Sequence, residues 1–441
     1  MRAVLLASAC ALASVSLPAM AEPVADTVAR DLPGLMETYR DLHANPELSF
    51  QEARSAKIMA DAARKAGFTV TEKVGRTGIV AVLKNGPGQT VLIRADMDGL
   101  PVVEQTGLPF ASTRRGTSTA GVESGIMHAC GHDTHMTAWI ETARLMAARK
   151  AEWSGTLVMI GQPAEEMGLG ALEMLKDGLY TRFPKPDYTL AFHDTPELAA
   201  GVVGAAKGWA LANVDSVDML VRGVGGHGAY PQTTRDPIVL ASAIVMKLQT
   251  LVSRETNPLD PVVVTVGSFH AGTKHNIISD QAKLELTVRS YSDETRQRLL
   301  DGIARVARGE AIASGLPDDL MPQIQVKEPH TRATWNTPEF AEEAVADLKG
   351  KMGADNVVIT PSAMGGEDFG EFRRADEAHI KSVIFWVGGA DPAKLAAAKA
   401  GGPPMPSLHS PFWAPQADKV IASGVQALTL TALRLMAKQG M

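Results

Sequence analysis

Five side chains of the kinds that hold transition-metal ions are spread through this chain, each closing an apolar run: Cys130, His132, Glu166, His193 and His409. Thiolate, imidazole and carboxylate are donors that zinc and its neighbours take. The densest segment, Met127-His128-Ala129-Cys130-Gly131-His132-Asp133-Thr134-His135, sets a thiol and an imidazole two residues apart just before a helical stretch. A second segment, 156–162, reads as a buried strand that Pro163 ends immediately before Glu165 and Glu166. Adjacent residues at a strand end point different ways, so one carboxylate can bind metal while its neighbour faces a substrate. A hydrolytic metal site needs that division. A third segment, 188–193, again ends on a histidine, and His409 lies in a proline-rich loop, Ser407-Leu408-His409-Ser410-Pro411-Phe412.

The elements that must position these groups follow from periodicity. With 441 residues the chain is long enough for two domains with their own cores. Helical spacing covers 26–42, 51–66 and 134–149, and strands are expected at 78–83, 90–95 and 156–160. That alternation predicts an α/β catalytic domain whose sheet carries helices on both faces. Near residue 206 the pattern changes to strand 215–222, helix 237–252, strands 262–270 and 282–291, helix 293–313 and strand 323–326. The order βαββαβ is ferredoxin-like. It predicts a smaller domain, 207–328, inserted between two segments of the larger one, 22–206 and 329–441. After it come helix 338–351, strands 357–360 and 382–387 and helix 417–437, with 390–406 read as a loop. Because the candidate donors fall at the ends of apolar strands, where open α/β sheets gather small-molecule sites, one shared site is expected.

Composition narrows the partners. The formal net charge is −6 and no basic cluster runs long enough to track phosphates, which argues against nucleic acid. Residues 1–21 combine Arg2, an apolar stretch and Ala19-Met20-Ala21, the pattern of a secretory leader with a small-x-small cleavage site, so an exported protein, periplasmic or secreted, is expected. Cleavage there leaves Cys130 as the only cysteine of the mature chain, which excludes an intrachain disulfide and suits a thiol held by metal. No later apolar run approaches the ~18 residues that would span a bilayer.

Four motifs in order, Arg94-Ala95-Asp96-Met97-Asp98-Gly99-Leu100-Pro101, His128-Ala129-Cys130-Gly131-His132-Asp133, Gln162-Pro163-Ala164-Glu165-Glu166 and Gly365-Gly366-Glu367-Asp368-Phe369, resemble those of the dinuclear-metal aminoacylase and carboxypeptidase family, most closely its hippurate hydrolase and auxin-conjugate amidohydrolase branch. The resemblance runs through nearly the whole mature chain. It implies two divalent ions (zinc, manganese, cobalt or nickel) held by Cys130, His132, Glu166, His193 and His409, with Cys130 between them. Glu165 would be the general base. The residues alone point the same way, since metal lowers the pKa of bound water towards ~7 and a neighbouring carboxylate can take the proton.

Gly225-Gly226-His227-Gly228-Ala229-Tyr230-Pro231 resembles the family's lid motif, which implies that His227 stabilises the oxyanion, reaching in from the second subunit of a homodimer formed through the lid. Asn276 and Arg289 match lid positions that hold the substrate carboxylate or carbonyl. Asp98 is expected to orient His132 from behind, while Asp96, His128, His135, Glu367 and Asp368 are read as supporting groups. Departures fall in the pocket: Asp194-Thr195 after His193, Gln232 after Pro231, and Met167 after the acidic pair. The expected activity is hydrolysis of the amide of small N-acyl amino acids. A carboxypeptidase or dipeptidase acting on short peptides is the alternative among enzymes, and a catalytically inactive metal-dependent binding protein the alternative outside them.

Overall fold

The computed structural model describes residues 22–438, so the leader expected at 1–21 lies outside the described residues. An eight-stranded mixed sheet organises the larger lobe, in the order Thr69–Val74, Gly78–Asn85, Gly155–Gln162, Thr90–Asp96, Tyr188–Ala199, Lys381–Ala390, Val203–Ala205, Val357–Ile359. Its four central strands, from Gly155–Gln162 to Lys381–Ala390, run parallel, and antiparallel pairs join them to the flanking strands on each side.

Alternate residues of the four central strands and of the neighbouring Gly78–Asn85 enter opposite layers, as a pleated strand requires. Ile79, Ile93, Met159, Leu190 and Phe385 pack into one core against the helices Val24–Ala44, His132–Ala148, Pro338–Met352 and Ala417–Leu435. Val80, Leu92, Val158, Ala191 and Ile384 face the other way, where Met174 and Phe372 come from the short helices Gly170–Lys176 and Gly370–Arg374. The near-continuous apolar runs of the sequence are explained by this double burial.

The second core begins on the strand Asn213–Arg222. Its four-stranded antiparallel sheet has the order Val263–Ala271, Gln281–Ser290, Asn213–Arg222, Gln323–Val326. The helices Pro237–Ser253 and Asp293–Ala313 cover one face, burying Ile244, Leu248, Ile303 and Val306 against Val217, Met219, Leu284 and Leu286. Both helices start on side-chain caps, Asp236 accepting from the amides of Ile238 and Val239, and Ser292 from that of Thr295. Where the chain passes between the lobes, Gly208–Leu211 and Thr334–Asn336 pair antiparallel.

The structure departs from the sequence expectation locally. The edge strand Thr69–Val74 carries no apolar alternation strong enough to announce it and forms by pairing with Gly78–Asn85. The segment 390–406, expected as loop, contains the helix Pro392–Lys399, with Asp391 capping Ala393 and Lys394 and proline at the first turn.

Candidate metal centre

The candidate donors meet on the side of the carboxyl ends of the parallel strands, but His193 does not end its strand as expected: Tyr188–Ala199 runs past it and stays paired with Lys381–Ala390. His132 opens the helix His132–Ala148, and the turn into it is made by Gly131 at φ 74°. A β-carbon at that glycine would lie 2.4 Å from Asp194 Oδ1, so the backbone between Cys130 and His132 approaches the residue after His193 as closely as only glycine permits. His409 also has a left-handed backbone, φ 66°, and its amide donates to the Ala129 carbonyl at 2.9 Å. That bond brings the C-terminal loop against the cysteine segment.

The acidic pair is placed by a second device. After Pro163 the chain bends through Ala164, at φ 48°, into the short turn Glu165–Met167. Glu52, buried in the core, accepts from the Ala164 and Phe50 amides at 2.8 Å each. Asp98 accepts from the amides of Glu165 at 3.1 Å and Glu166 at 3.2 Å, and from the Ser49 hydroxyl at 2.6 Å. Asp98 meets His132 mainly through its backbone: the carbonyl accepts from His132 Nδ1 at 2.8 Å, while the nearer carboxylate oxygen stands 3.5 Å away. The carboxylate is committed to ordering the glutamate turn. Burial and the nearby Asp98 charge push the Glu52 carboxyl up to about 7.

Around Cys130 Sγ, the Nε2 atoms of His193 and His409 lie at 3.4 and 3.3 Å, and His409 Nε2 lies 3.3 Å from Glu166 Oε2. His132 Nε2 faces Asp96 Oδ2 at 3.7 Å, Glu166 Oε1 at 3.9 Å and Glu165 Oε2 at 4.0 Å. Both His132 Nε2 and Glu166 Oε1 are buried without a hydrogen-bond partner among the described residues. Since His132 and His193 each donate through Nδ1 to a backbone carbonyl, their Nε2 lone pairs are the ones turned inward. Burial, followed by the charges of Glu166 and Glu165, pushes the Cys130 thiol well up; burial likewise raises Glu166 to about 8 and Glu165 well above the carboxylate range. Crowded acidic donors whose ionisation burial opposes, beside inward imidazole lone pairs, fit divalent cations, and mixed sulfur, nitrogen and oxygen ligation suits zinc, manganese, cobalt or nickel.

Behind these donors lies a buried charge network. Arg94 reaches Asp96 at 2.5 Å, Glu367 at 2.7 Å and the Gln162 side chain at 2.8 Å, with Asp368 at 3.5 Å. Asp96 in turn accepts from His135 Nδ1 at 2.6 Å, and His135 Nε2 accepts from the Asp194 amide at 3.0 Å. Trp413 Nε1 donates to Asp194 Oδ2 at 3.0 Å. Glu367, Asp368 and His135 thus lie in the network behind the donors, together with Arg94 and Trp413; no motif spacing in the sequence marks Arg94, Glu52 or Trp413 for such a place, and Asp194 stands out there only as a departure. His128 is buried beside this region.

A cavity of about 490 Å³ opens over the centre between the lobes, lined among others by Glu165, Glu166, Met167, His193, Arg289 and His409. Arg289 donates to Thr287 Oγ1 at 3.0 Å and to the Met364 carbonyl at 3.4 Å, and no carboxylate among the described residues pairs with it. His227 and Asn276 do not line this cavity. They sit together in the smaller lobe, where Gly226–His227 pairs with Ile277–Ile278 and the Gly228 amide donates to the Asn276 carbonyl at 2.9 Å. Within one chain, therefore, Arg289 lines the cavity and His227 and Asn276 do not.

A family model described as peptidase family M20/M25/M40 matches residues 92–400. A hippurate hydrolase of Campylobacter jejuni is 36% identical over 344 residues, covering 78% of this chain and 86% of the relative. An N-acetylcysteine deacetylase of Bacillus subtilis is 36% identical over 357 residues, covering 80% and 88%. Among solved structures, a Bacillus subtilis protein described as a dinuclear metal binding peptidase superposes with a TM-score of 0.72 at 29% identity, over 92% of this chain and all of the other.

Proposed function

The chain belongs to peptidase family M20/M25/M40, and on that premise we propose that it is a metal-dependent amidohydrolase that splits the amide of small N-acyl amino acids. The observation that carries this reading is the meeting of Cys130, His193, His409 and Glu166, with His132 beside them, on the floor of a cavity whose wall holds Arg289, an arginine with no carboxylate partner among the described residues. The names of the hippurate hydrolase and N-acetylcysteine deacetylase relatives support the substrate class.

Cys130, His132, Glu166, His193 and His409 would hold two divalent cations. When bound, such a pair supplies Lewis acidity towards a carbonyl oxygen and acidifies water. Glu165 is the proton carrier: burial and the charges of Glu367, Glu166 and Asp368 raise its proton affinity, and its carboxylate faces the cavity. It takes a proton from the attacking water and passes it to the nitrogen of the departing amino acid. Arg289 pairs with the carboxylate of that amino acid and orients the scissile bond.

His227 and Asn276 act from a second copy in this reading. The smaller lobe leaves Val239, Met246 and Ile277 at least half exposed, and the strand Val263–Ala271 has one free edge, features that suit a homodimer formed through this lobe. The leader pattern at 1–21 supports export, which fractionation of cells producing the tagged full chain would check.

Glu165→Gln tests the reading. Turnover of N-benzoyl and N-acetyl amino acids should fall by roughly 10²–10⁴-fold while bound metal is retained. Unaltered turnover in the variant, or a wild-type chain inert towards N-acyl amino acids with all four metals, would overturn the proposal. Preference for unblocked dipeptides would move the assignment to a dipeptidase.

A further inference from the structure

We propose that His43 is a positioning residue that ties the segment carrying His132 to the loop carrying His409, and so holds the metal centre together from behind. It stands in the last turn of the helix Val24–Ala44 and is buried. Its Nδ1 lies 2.6 Å from Asp133 Oδ2, and its Nε2 lies 3.0 Å from Glu104 Oε1. Both nitrogens face carboxylates, so the ring donates on both sides as an imidazolium. Phe110 stands edge-on at 5.3 Å and Tyr39 tilts against it at 5.5 Å, which fixes the ring plane.

Each carboxylate leads to a different part of the centre. Asp133 is the residue after His132, in the first turn of the helix His132–Ala148. Glu104 closes its own loop by accepting from the Ser112 amide at 2.6 Å and from the Thr106 hydroxyl. The adjacent Gln105 amide donates to the carbonyl of Pro411 at 2.8 Å, two residues beyond His409. One buried cation thus bridges two anions on segments that, among the described residues, have no direct ion pair with each other. Without it, Asp133 and Glu104 would be buried like charges on facing segments, and the segments would be driven apart.

The inference rests on His132 and His409 being metal ligands, as proposed above, and its test reads metal binding rather than turnover. Cobalt(II) is titrated into the metal-free full-length protein, with affinity and stoichiometry measured by calorimetry and the fold checked by circular dichroism. His43→Gln, a neutral side chain that retains hydrogen bonding, should weaken cobalt binding by about 10–100-fold, the usual cost of losing a group that orients a ligand. Glu104→Gln should act in the same direction, and the double variant should lose no more than the weaker-binding single, because either change breaks the same tether. Should His43→Gln not fold, Glu104→Gln, which keeps the pair with Asp133, carries the comparison. Wild-type cobalt affinity in a folded His43→Gln or Glu104→Gln protein would overturn the inference, as would fully additive losses. A wild-type chain that binds two ions yet does not hydrolyse N-acyl amino acids would sink the proposed function and leave this inference standing.

Discussion

Replacing Gly131 by alanine adds one methyl group at the point where the Cys130–His132 segment meets the His193–Asp194 segment. Two costs can be separated. Alanine in a left-handed backbone loses roughly 1–2 kcal/mol relative to glycine. The added β-carbon would also lie 2.4 to 2.6 Å from three atoms of the Asp194 carboxylate. Asp194 is fully buried and holds Trp413 Nε1 at 3.0 Å, so it cannot swing into solvent; forcing extra volume into such a site costs about 1–3 kcal/mol. The sum is roughly 2–5 kcal/mol, which at ~2–4 °C per kcal/mol lowers the thermal midpoint of the metal-free protein by roughly 4–20 °C. Gly107 supplies the control. Its φ is also 74°, yet a β-carbon there meets nothing within 4 Å, so Gly107→Ala should show only the backbone cost of roughly 1–2 kcal/mol. Calorimetric scans of both variants, followed by metal titration, separate the two contributions: Gly131→Ala should be the less stable and should bind metal more weakly, while Gly107→Ala binds normally. Equal destabilisation of the two, with metal affinity unchanged in both, would refute the close approach as the reason glycine stands at 131.

Arg94→Met leaves Asp96, Glu367 and Asp368 buried without their cation and should destabilise the metal-free protein by about 3–5 kcal/mol in urea unfolding; a loss below 1 kcal/mol would show the network to be dispensable. The pH dependence of stability has a definite sign at His43, whose pKa the Asp133 and Glu104 carboxylates raise to about 10 against the opposing effect of burial. The folded protein retains a proton that the unfolded chain releases near 6.5, so this contribution is complete below pH ~6.5 and is lost as pH rises towards 10. Chemical unfolding of the metal-free protein across that window should show falling stability, and His43→Gln should flatten the slope; an unchanged slope in the variant would place the titration elsewhere. Val239→Glu combined with Met246→Glu puts charge on the exposed face of the helix Pro237–Ser253; if the proposed homodimer forms through this face, the double variant should be monomeric in light scattering and lose turnover, because His227 would no longer reach a partner's cavity. A wild-type monomer with full turnover would contradict that arrangement.

Much of the architecture is legible along the chain because its causes are local or periodic. Apolar runs doubly buried in the parallel strands, amphipathic helices around them, and the switch to βαββαβ order in the smaller lobe all leave a repeating trace. The helix Pro392–Lys399 shows the limit: its capping aspartate and first-turn proline are visible in Asp391-Pro392, but alanine-rich, lysine-containing sequence between glycines and prolines has no apolar stripe strong enough to outweigh the breakers around it.

The residue types alone say which donors are available, a thiol, imidazoles and an acidic pair just past an apolar run, and hence the kind of chemistry they could do. Packing decided how they are held: Glu52 reaching Ala164 across 112 positions, the Asp98 carboxylate ordering Glu165 and Glu166 while its carbonyl holds His132, and His43 meeting Asp133 across 90. It also decided that Arg289 joins the cavity while His227 and Asn276 stay in the ribbon of the smaller lobe. Periodicity records which face of an element is buried. A hydrogen bond between residues far apart in the chain is made once, by the packing of whole elements, and leaves no repeating pattern from which to read it.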